Sequence, residues 1–173
     1  MLRLEARQSQ RRTTAEAGSH RERRARERCR LLRETGESAI HGVVVDDLTD
    51  RIRRVVTSDD VDACIDLGIT LADAGQLPDA QRCFQRACDL GSSEGAHHLG
   101  NCLASQECWS DASVAYEMAI ERGAPDALVA YGHVLHELGD LAGEIHAFQH
   151  ADAGGDSEGT LMLAFTQREQ GDR

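Results

Sequence analysis

The sequence predicts an all-α solenoid of helical hairpins, and two observations predict it. First, a pattern of small and aromatic residues recurs every 32 positions along the second half of the chain. Second, only six of the 173 residues are aromatic and only two are proline, so a core must be mostly Leu, Ala, Val and Ile. Helix packing tolerates such a core better than a β-sandwich does. Repeats of this length bury their apolar faces only against neighbouring repeats.

Residues 1–40 form an Arg-rich leader, which we expect to be disordered or loosely helical. Its segment 21–34 is a run of charges with only Leu31 and Leu32 as apolar anchors. Three interpretations stay open: the leader contacts nucleic acid through phosphates, it folds back on the rest of the chain, or it is an upstream extension without function. Its glutamates dilute the basic field, so nucleic acid is the least favoured partner.

The two parts of the chain carry opposite charge. Residues 1–58 hold 14 Arg against 9 acidic residues, a net charge of +5. Residues 59–173 hold 5 Arg against 21 acidic residues, a net charge of −16. All basic residues are arginine, and the chain contains no lysine.

Residues 41–59 are expected to be a capping helix from a degenerate half repeat. In the stretch 46–56, Leu48, Ile52 and Val55 share one helical face. They lie 32 positions before the apolar residues of the next second helix, so we interpret them as a second helix too. The first helix of that leading repeat would fall near residues 31–40.

Clear repeats cover residues 60–173, as 60–91, 92–123 and 124–155 with a half repeat at 156–173. In each, a first helix carries a Leu-Gly or Tyr-Gly pair, and a turn follows at Gly75, Glu107 or Gly139. A second helix follows, with one aromatic residue at the same position of each repeat: Phe84, Tyr116 or Phe148. This helix ends at a glycine, a natural helix stop. We therefore expect helix pairs at 60–90, 92–122 and 124–153, without β-sheet.

These repeats resemble the tetratricopeptide-repeat superfamily, in its short-linked Sel-like variant. The pattern of that superfamily is W-x2-L-G-x2-Y followed by A-x3-F and a further Ala. Each repeat here supplies most of it: Cys64-x2-Leu67-Gly68-x2-Leu71 with Ala80-x3-Phe84 and Ala87; Ala96-x2-Leu99-Gly100-x2-Leu103 with Ala112-x3-Tyr116 and Ala119; Leu128-x2-Tyr131-Gly132-x2-Leu135 with Phe148 and Ala151. The third repeat has Glu144 in place of the first Ala. The resemblance implies a right-handed superhelix whose inner groove binds peptides or protein segments.

The resemblance also assigns a stripe of the first helices to that groove. The stripe begins at Ile65 and continues through its copies in the next repeats, with Ala72, Ala104 and Val129 as further members. Its asparagine suits a peptide backbone, and its histidines and acidic groups suit a basic segment. The candidate partner-binding residues are Ile69, Asp73, His97, Asn101, Ser105, His133, His136 and Glu137.

No catalytic, cofactor or metal site is expected. The chain has no phosphate-binding glycine loop, nucleophile elbow or HExxH motif. The pairs His133/His136 and His146/His150 have zinc-compatible helical spacing, but no third ligand accompanies either pair at motif spacing. Trp109 aligns with Leu77 and Leu141, which favours packing over ligand binding. No apolar run is long enough to span a bilayer, and no signal peptide is recognisable, so we expect a cytoplasmic protein.

The last helix is expected to be a docking end. Leu163 falls in the core column of Leu67 and should pack on the third repeat, whereas Phe165 falls in the groove column and should stay partly exposed. End repeats usually need a polar outer face, and this one is apolar. Met162 and Phe165 are therefore candidates for self-association or for docking a partner helix.

Together these features predict a non-catalytic protein–protein interaction module that binds a peptide or protein segment in the groove of its repeats. The alternative is a regulator that contacts nucleic acid through the Arg-rich leader, with the repeats as its sensor or dimerisation arm.

Overall fold

Residues 46–171 are described by the computed structural model, with side chains over 48–168. The leader 1–40 and the suggested helix near 31–40 lie outside these residues. The described part consists of eight α-helices and contains no strand. They are α1 (Asp46–Val56), α2 (Val61–Asp73), α3 (Leu77–Asp89), α4 (Ser93–Ser105), α5 (Trp109–Glu121), α6 (Ala127–Leu138), α7 (Leu141–Ala153) and α8 (Ser157–Gly171). The predicted fold class, an all-α helical-hairpin solenoid, is confirmed.

Each hairpin is closed by a glycine on its first helix and an aromatic ring on its second. Gly100 of α4 lies directly under Tyr116 of α5, and a Cβ atom there would come within 2.6 Å of the ring carbon Cε1. Gly68 and Gly132 meet the rings of Phe84 and Phe148 in the same way. The Leu-Gly pair of the sequence is thus a packing device: the missing side chain lets the two helix backbones approach around a buried ring.

The turns use left-handed backbone at the positions where the repeat predicts them. Gly75 and Gly139 close hairpins with φ of +74° and +79°, while Gly91 and Gly123 link successive hairpins with φ of +92° and +93°. Glu107 closes the middle hairpin at φ +60°, the only non-glycine residue with positive φ in the described part. Left-handed backbone favours glycine, so this turn is strained relative to its two equivalents.

Helix α1 caps the first hairpin. Ile52 is buried in the core at the position equivalent to Phe84, and Val55 and Val56 pack beside it. Leu48, expected on the same face, is 41% exposed because it lies at the open end of the helix. The contacts of α1 reach both α2 and α3, so it covers the apolar end of the solenoid.

The stack curves toward its first helices. Neighbouring first helices contact one another, α2 with α4, α4 with α6 and α6 with α8. Within residues 46–171, no comparable packing joins α3 with α5 or α5 with α7. The first helices therefore form the inner, concave face, which is the face that the resemblance to tetratricopeptide repeats assigns to partner binding.

Helix α8 closes the other end with a mixed surface. Met162 and Leu163 pack on the cluster of Leu128, Val129 and Phe148, which confirms the expected docking of Leu163 on the third repeat. The face where a further second helix would dock is Thr160, Ala164 and Gln167, all exposed. These positions replace Leu128, Gly132 and Leu135 by polar or small residues, while Leu161 and Phe165 of the same helix are 52% and 46% exposed. The outer surface of α8 is therefore only partly apolar, and its role as a docking end stays a prediction. None of the helices in the described part is long and apolar enough to cross a membrane.

Candidate functional site on the concave face

One residue of each first helix projects from the concave face at the same register. These residues, 32 positions apart, are Ile69, Asn101, His133 and Phe165. All four are exposed, Ile69 to 37% and Phe165 to 46%. We call this set the ladder. It places an apolar side chain at each end of the concave face and two polar side chains between them.

The buried aromatic rings hold the middle of the ladder in place. The Tyr116 hydroxyl donates a hydrogen bond of 2.6 Å to Asn101 Oδ1. The Asn101 Oδ1 atom is thereby engaged, while the NH₂ group of this exposed side chain is a hydrogen-bond donor. His133 stands edge-on to Phe148, with ring centroids 5.6 Å apart. The hairpin-closing rings thus fix the orientation of the ladder residues as well as the helix spacing.

Two histidines of α4 fill the space between neighbouring hairpins. His98 stacks on Phe84 of the previous hairpin, with centroids 5.2 Å apart. His97 lies half-buried, 3.4 Å from Asp126 at the start of α6. Burial lowers the pKa of His97, and the Asp126 carboxylate opposes that shift only in part. Burial therefore favours the neutral form of the His97 imidazole.

A buried carboxylate joins the last three helices behind the ladder. Glu144 of α7 is only 5% exposed. Its Oε1 accepts a 2.9 Å hydrogen bond from Thr166 of α8, and its Oε2 lies 3.1 Å from Nδ1 of His136 on α6. The sequence signalled this site through the departure from Ala at Glu144. It gave no sign that Thr166 and His136 converge there, since they are 30 residues apart.

The other predicted residues are divided between the accessible face and the core. Asp73, Ser105 and Glu137 are exposed near the C-terminal ends of their first helices. Ile65 and Val129, which the stripe placed in the groove, are 6% and 7% exposed and belong to the core. The prediction that these two residues line the groove is wrong, because the packing of neighbouring helices buries them. Of the candidate docking residues, Met162 packs inward and Phe165 belongs to the ladder.

The concave face is acidic. The first helices α2, α4 and α6 contain no arginine, and Arg168 on α8 lies 5.6 Å over the Phe165 ring. Among residues 59–168, the other arginines lie on the second helices or directly after them: Arg82 pairs with Asp79, Arg86 with Asp59, and Arg122 donates to the Cys88 carbonyl. Exposed carboxylates on or beside the first helices are Asp62, Asp66, Asp73, Glu94, Asp126, Glu137 and Glu158.

The second helices carry packing groups and no assembled metal-binding cluster among the described residues. His146 and His150 of α7 stack on each other, with centroids 6.5 Å apart, and both are exposed. No group of three or more metal-ligating side chains occurs over the described range. Trp109 packs against the core at the start of α5, as expected. Cys64, Cys83, Cys88 and Cys102 are buried free thiols, and burial raises the pKa of Cys83 and Cys102 to about 11.

Comparison with known proteins supports the fold. No family model matches the chain, and no curated protein matches it significantly. Among solved structures, it is similar to YrrB, described as a TPR protein with an unusual peptide-binding site, with a TM-score of 0.59 and 19% identity over 74% of this chain and 68% of YrrB. It is equally similar to MamA, with a TM-score of 0.59 and 21% identity over 72% of this chain and 74% of MamA.

A third similar structure is PcrH in complex with the chaperone binding region of PopD. Its TM-score is 0.56 at 22% identity, and the match covers 76% of this chain and 98% of PcrH. At these identities the similarity concerns the fold. With three hairpins in register and glycine-under-ring packing, the chain has a helical-hairpin fold similar to that of these solved structures.

Proposed function

We propose that this chain is a non-catalytic protein-interaction module that binds an extended peptide or protein segment along its concave face. The observation that carries the proposal is the ladder, which exposes one side chain per repeat at constant register. Such a row suits an extended chain, whose own groups repeat at regular intervals. The peptide-binding site described for YrrB, and the complex of PcrH with the chaperone binding region of PopD, support the same class of function.

The chemistry of the ladder suggests how a peptide binds. The Asn101 NH₂ group is positioned to donate to a backbone carbonyl, and His133 to donate or accept. Ile69 and Phe165 offer apolar contacts at the two ends. Asp73, His97, Ser105, His136 and Glu137 line the flanks of the row. In this proposal, the side chains of the concave face select the sequence of the partner. The regular spacing of the partner's backbone groups matches the spacing of the ladder.

A displayed library of random peptides of about 12 residues tests the proposal. Peptides are selected on the full-length chain and then measured against two variants. Ile69→Ser with His133→Ala alters the ladder, while Val114→Ser replaces a 52% exposed residue on the second helix α5. We expect the selected peptides to lose about tenfold or more in affinity on the ladder variant and less than about twofold on the control.

Asn101 is left unchanged in this test because its loss would leave the Tyr116 hydroxyl without its partner. Circular dichroism of both variants checks that folding is intact. Selected peptides that bind both variants as tightly as the wild type, or that respond only to Val114→Ser, would contradict the concave-face proposal.

A further inference from the structure

We propose that residues 21–33 of this chain are themselves a ligand of the concave face, so that the chain covers its own binding surface until a partner displaces them. The inference rests on the proposed function and names the chemistry of the partner, a basic segment with apolar anchors. Three independent features of the chain support it: the charge of the face, the charge and apolar pair of the segment, and the length of chain that joins the two.

The first feature is the charge of the concave face. The inner helices α2, α4 and α6 carry exposed carboxylates and no arginine. Asp66 and Asp73 lie on α2 beside Ile69, and Asp126 lies against His97 with its side chain 70% exposed. A basic segment laid along this face meets carboxylates on successive helices, with no arginine of α2, α4 or α6 to repel it.

The second feature is the composition of the segment. Residues 21–33 contain seven Arg and two Glu, a net charge of +5 in 13 residues, and carry the apolar pair Leu31-Leu32 just before the final Arg33. The ladder spans four neighbouring first helices. At about 10 Å between packed helices it is about 30 Å long, which an extended peptide covers with about nine residues. A basic run with an apolar end matches an acidic face that has exposed Ile69 at one end and Phe165 at the other.

The third feature is the tether. Helix α1 starts at Asp46 and packs on α2 and α3, at the end of the solenoid where the ladder begins with Ile69. The intervening residues 34–45 reach at most about 40 Å when extended. The segment is therefore held within reach of the whole ladder, at an effective concentration in the millimolar range. Covering the face in this way weakens the apparent affinity for any partner by the fraction of uncovered molecules.

The absence of lysine gives a direct test. Arg26→Lys introduces the only side-chain amine of the full-length chain, and a carbodiimide joins that amine to carboxylates within contact distance. In monomer at low salt, we expect the coupled peptides to contain concave carboxylates such as Asp66, Asp73 or Asp126. We expect coupling to disappear at about 1 M salt, where charge interactions are screened within about 3 Å.

Arg82→Lys is the matched control, because residue 82 lies beside Asp79 on α3 and reports that the chemistry works. With that control positive, three results would overturn the inference. They are the absence of coupling from residue 26, coupling only to second-helix carboxylates such as Asp89 or Glu121, and coupling only between two molecules.

A binding experiment separates this inference from the proposed function. A fluorescent synthetic peptide of residues 21–33 is titrated into the full-length wild type and into a variant with Arg→Gln at positions 23, 24, 26 and 28. We expect the peptide to bind the variant about tenfold more tightly, since the covering segment is weakened. Equal affinities, or no binding, would refute self-covering. Library peptides that still depend on Ile69 and His133 in that case would leave the proposed function standing.

Discussion

Single residues decide how closely the helices of this protein approach. Gly68, Gly100 and Gly132 each face an aromatic ring at a distance that no side chain fits. The same rings orient the ladder, since Tyr116 holds Asn101 and Phe148 supports His133. Packing and recognition are therefore coupled at the residue scale. A substitution at one of these glycines displaces the ring and with it the ladder residue that the ring supports.

Gly100→Ala is expected to destabilise the protein despite the better helix propensity of alanine. The gain in propensity is about 1 kcal/mol, whereas overpacking against the Tyr116 ring costs about 1–3 kcal/mol. Urea unfolding followed by circular dichroism measures the difference. In a Tyr116→Leu background the same change should cost less, since the ring is gone, and an undiminished cost there would contradict the packing explanation.

His97 should make stability depend on pH in the weakly acidic range. Its pKa is lowered in the folded protein from an ordinary value of 6.5, chiefly by burial. Between the two pKa values the unfolded chain binds more protons, so stability rises with pH there and is lost as pH falls below about 6.5. The advantage in unfolding free energy of wild type over His97→Gln is thus expected to grow as the pH rises toward and just past 6.5. A difference that does not change with pH would count against this.

At the scale of elements, the last helix is attached by a polar contact as well as by its apolar face. Met162 and Leu163 supply the apolar part, and Thr166 bonds the buried Glu144 carboxylate. The position of Glu144 is alanine in the first two repeats, at Ala80 and Ala112. The last helix is therefore held by a polar contact that the earlier repeats lack. The same Glu144 carboxylate also contacts His136 on the concave side.

Thr166→Val should loosen α8 by about 1–2 kcal/mol, because the buried carboxylate loses a donor while the shape is kept. Ser105→Ala is the matched control. The Oγ1 atom of Thr166 also lies 3.0 Å from the Met162 carbonyl four residues back, and the Ser105 hydroxyl has the same kind of contact with the Asn101 carbonyl, but Ser105 is exposed and touches no buried charge. We expect it to change stability by less than about 0.5 kcal/mol. Equal losses in the two variants, measured by urea unfolding, would show that Glu144 does not depend on Thr166.

Self-association through α8 stays a prediction. Leu161 is 52% and Phe165 46% exposed, whereas the outward positions Thr160 and Gln167 are polar. If these two apolar residues dock a second copy, sedimentation should show a concentration-dependent dimer that Leu161→Glu with Phe165→Glu abolishes. A wild type that stays monomeric at high concentration would contradict self-association through these two residues.

At the scale of the whole molecule, each hairpin touches only its neighbours, so a local change should have a local effect. Phe84→Leu and Phe148→Leu make the same cavity in the first and third hairpins, each at about 1–2 kcal/mol. The thiol of Cys83 reports on the first hairpin. Below the unfolding transition, we expect its alkylation to accelerate more in Phe84→Leu than in Phe148→Leu. Equal acceleration, resolved by mass spectrometry, would indicate a single cooperative unit.

The 32-residue period predicted the fold because every hairpin repeats the same small-under-aromatic contact, visible in sequence as Leu67-Gly68 and Phe84. The sequence predicted which helix positions form the candidate site, but not which of these residues are buried. Periodicity gives the helical face of Ile65 and Val129, yet the packing of adjacent hairpins decides that they are buried. The contact of Glu144 with Thr166 could not be predicted from the 32-residue period either, because it has no equivalent in the other repeats and joins residues 22 positions apart.

The linking turns carry a consequence for the length of the molecule. Gly91 and Gly123 close the same joint with almost the same left-handed φ, and 32 residues separate them. A tandem copy of residues 92–123 would therefore find a matching joint at each end. The result would be a longer molecule with one more rung, unchanged caps and room for about three more residues of a bound chain. Gene duplication within this interval thus offers a simple route by which such a protein lengthens the segment it recognises.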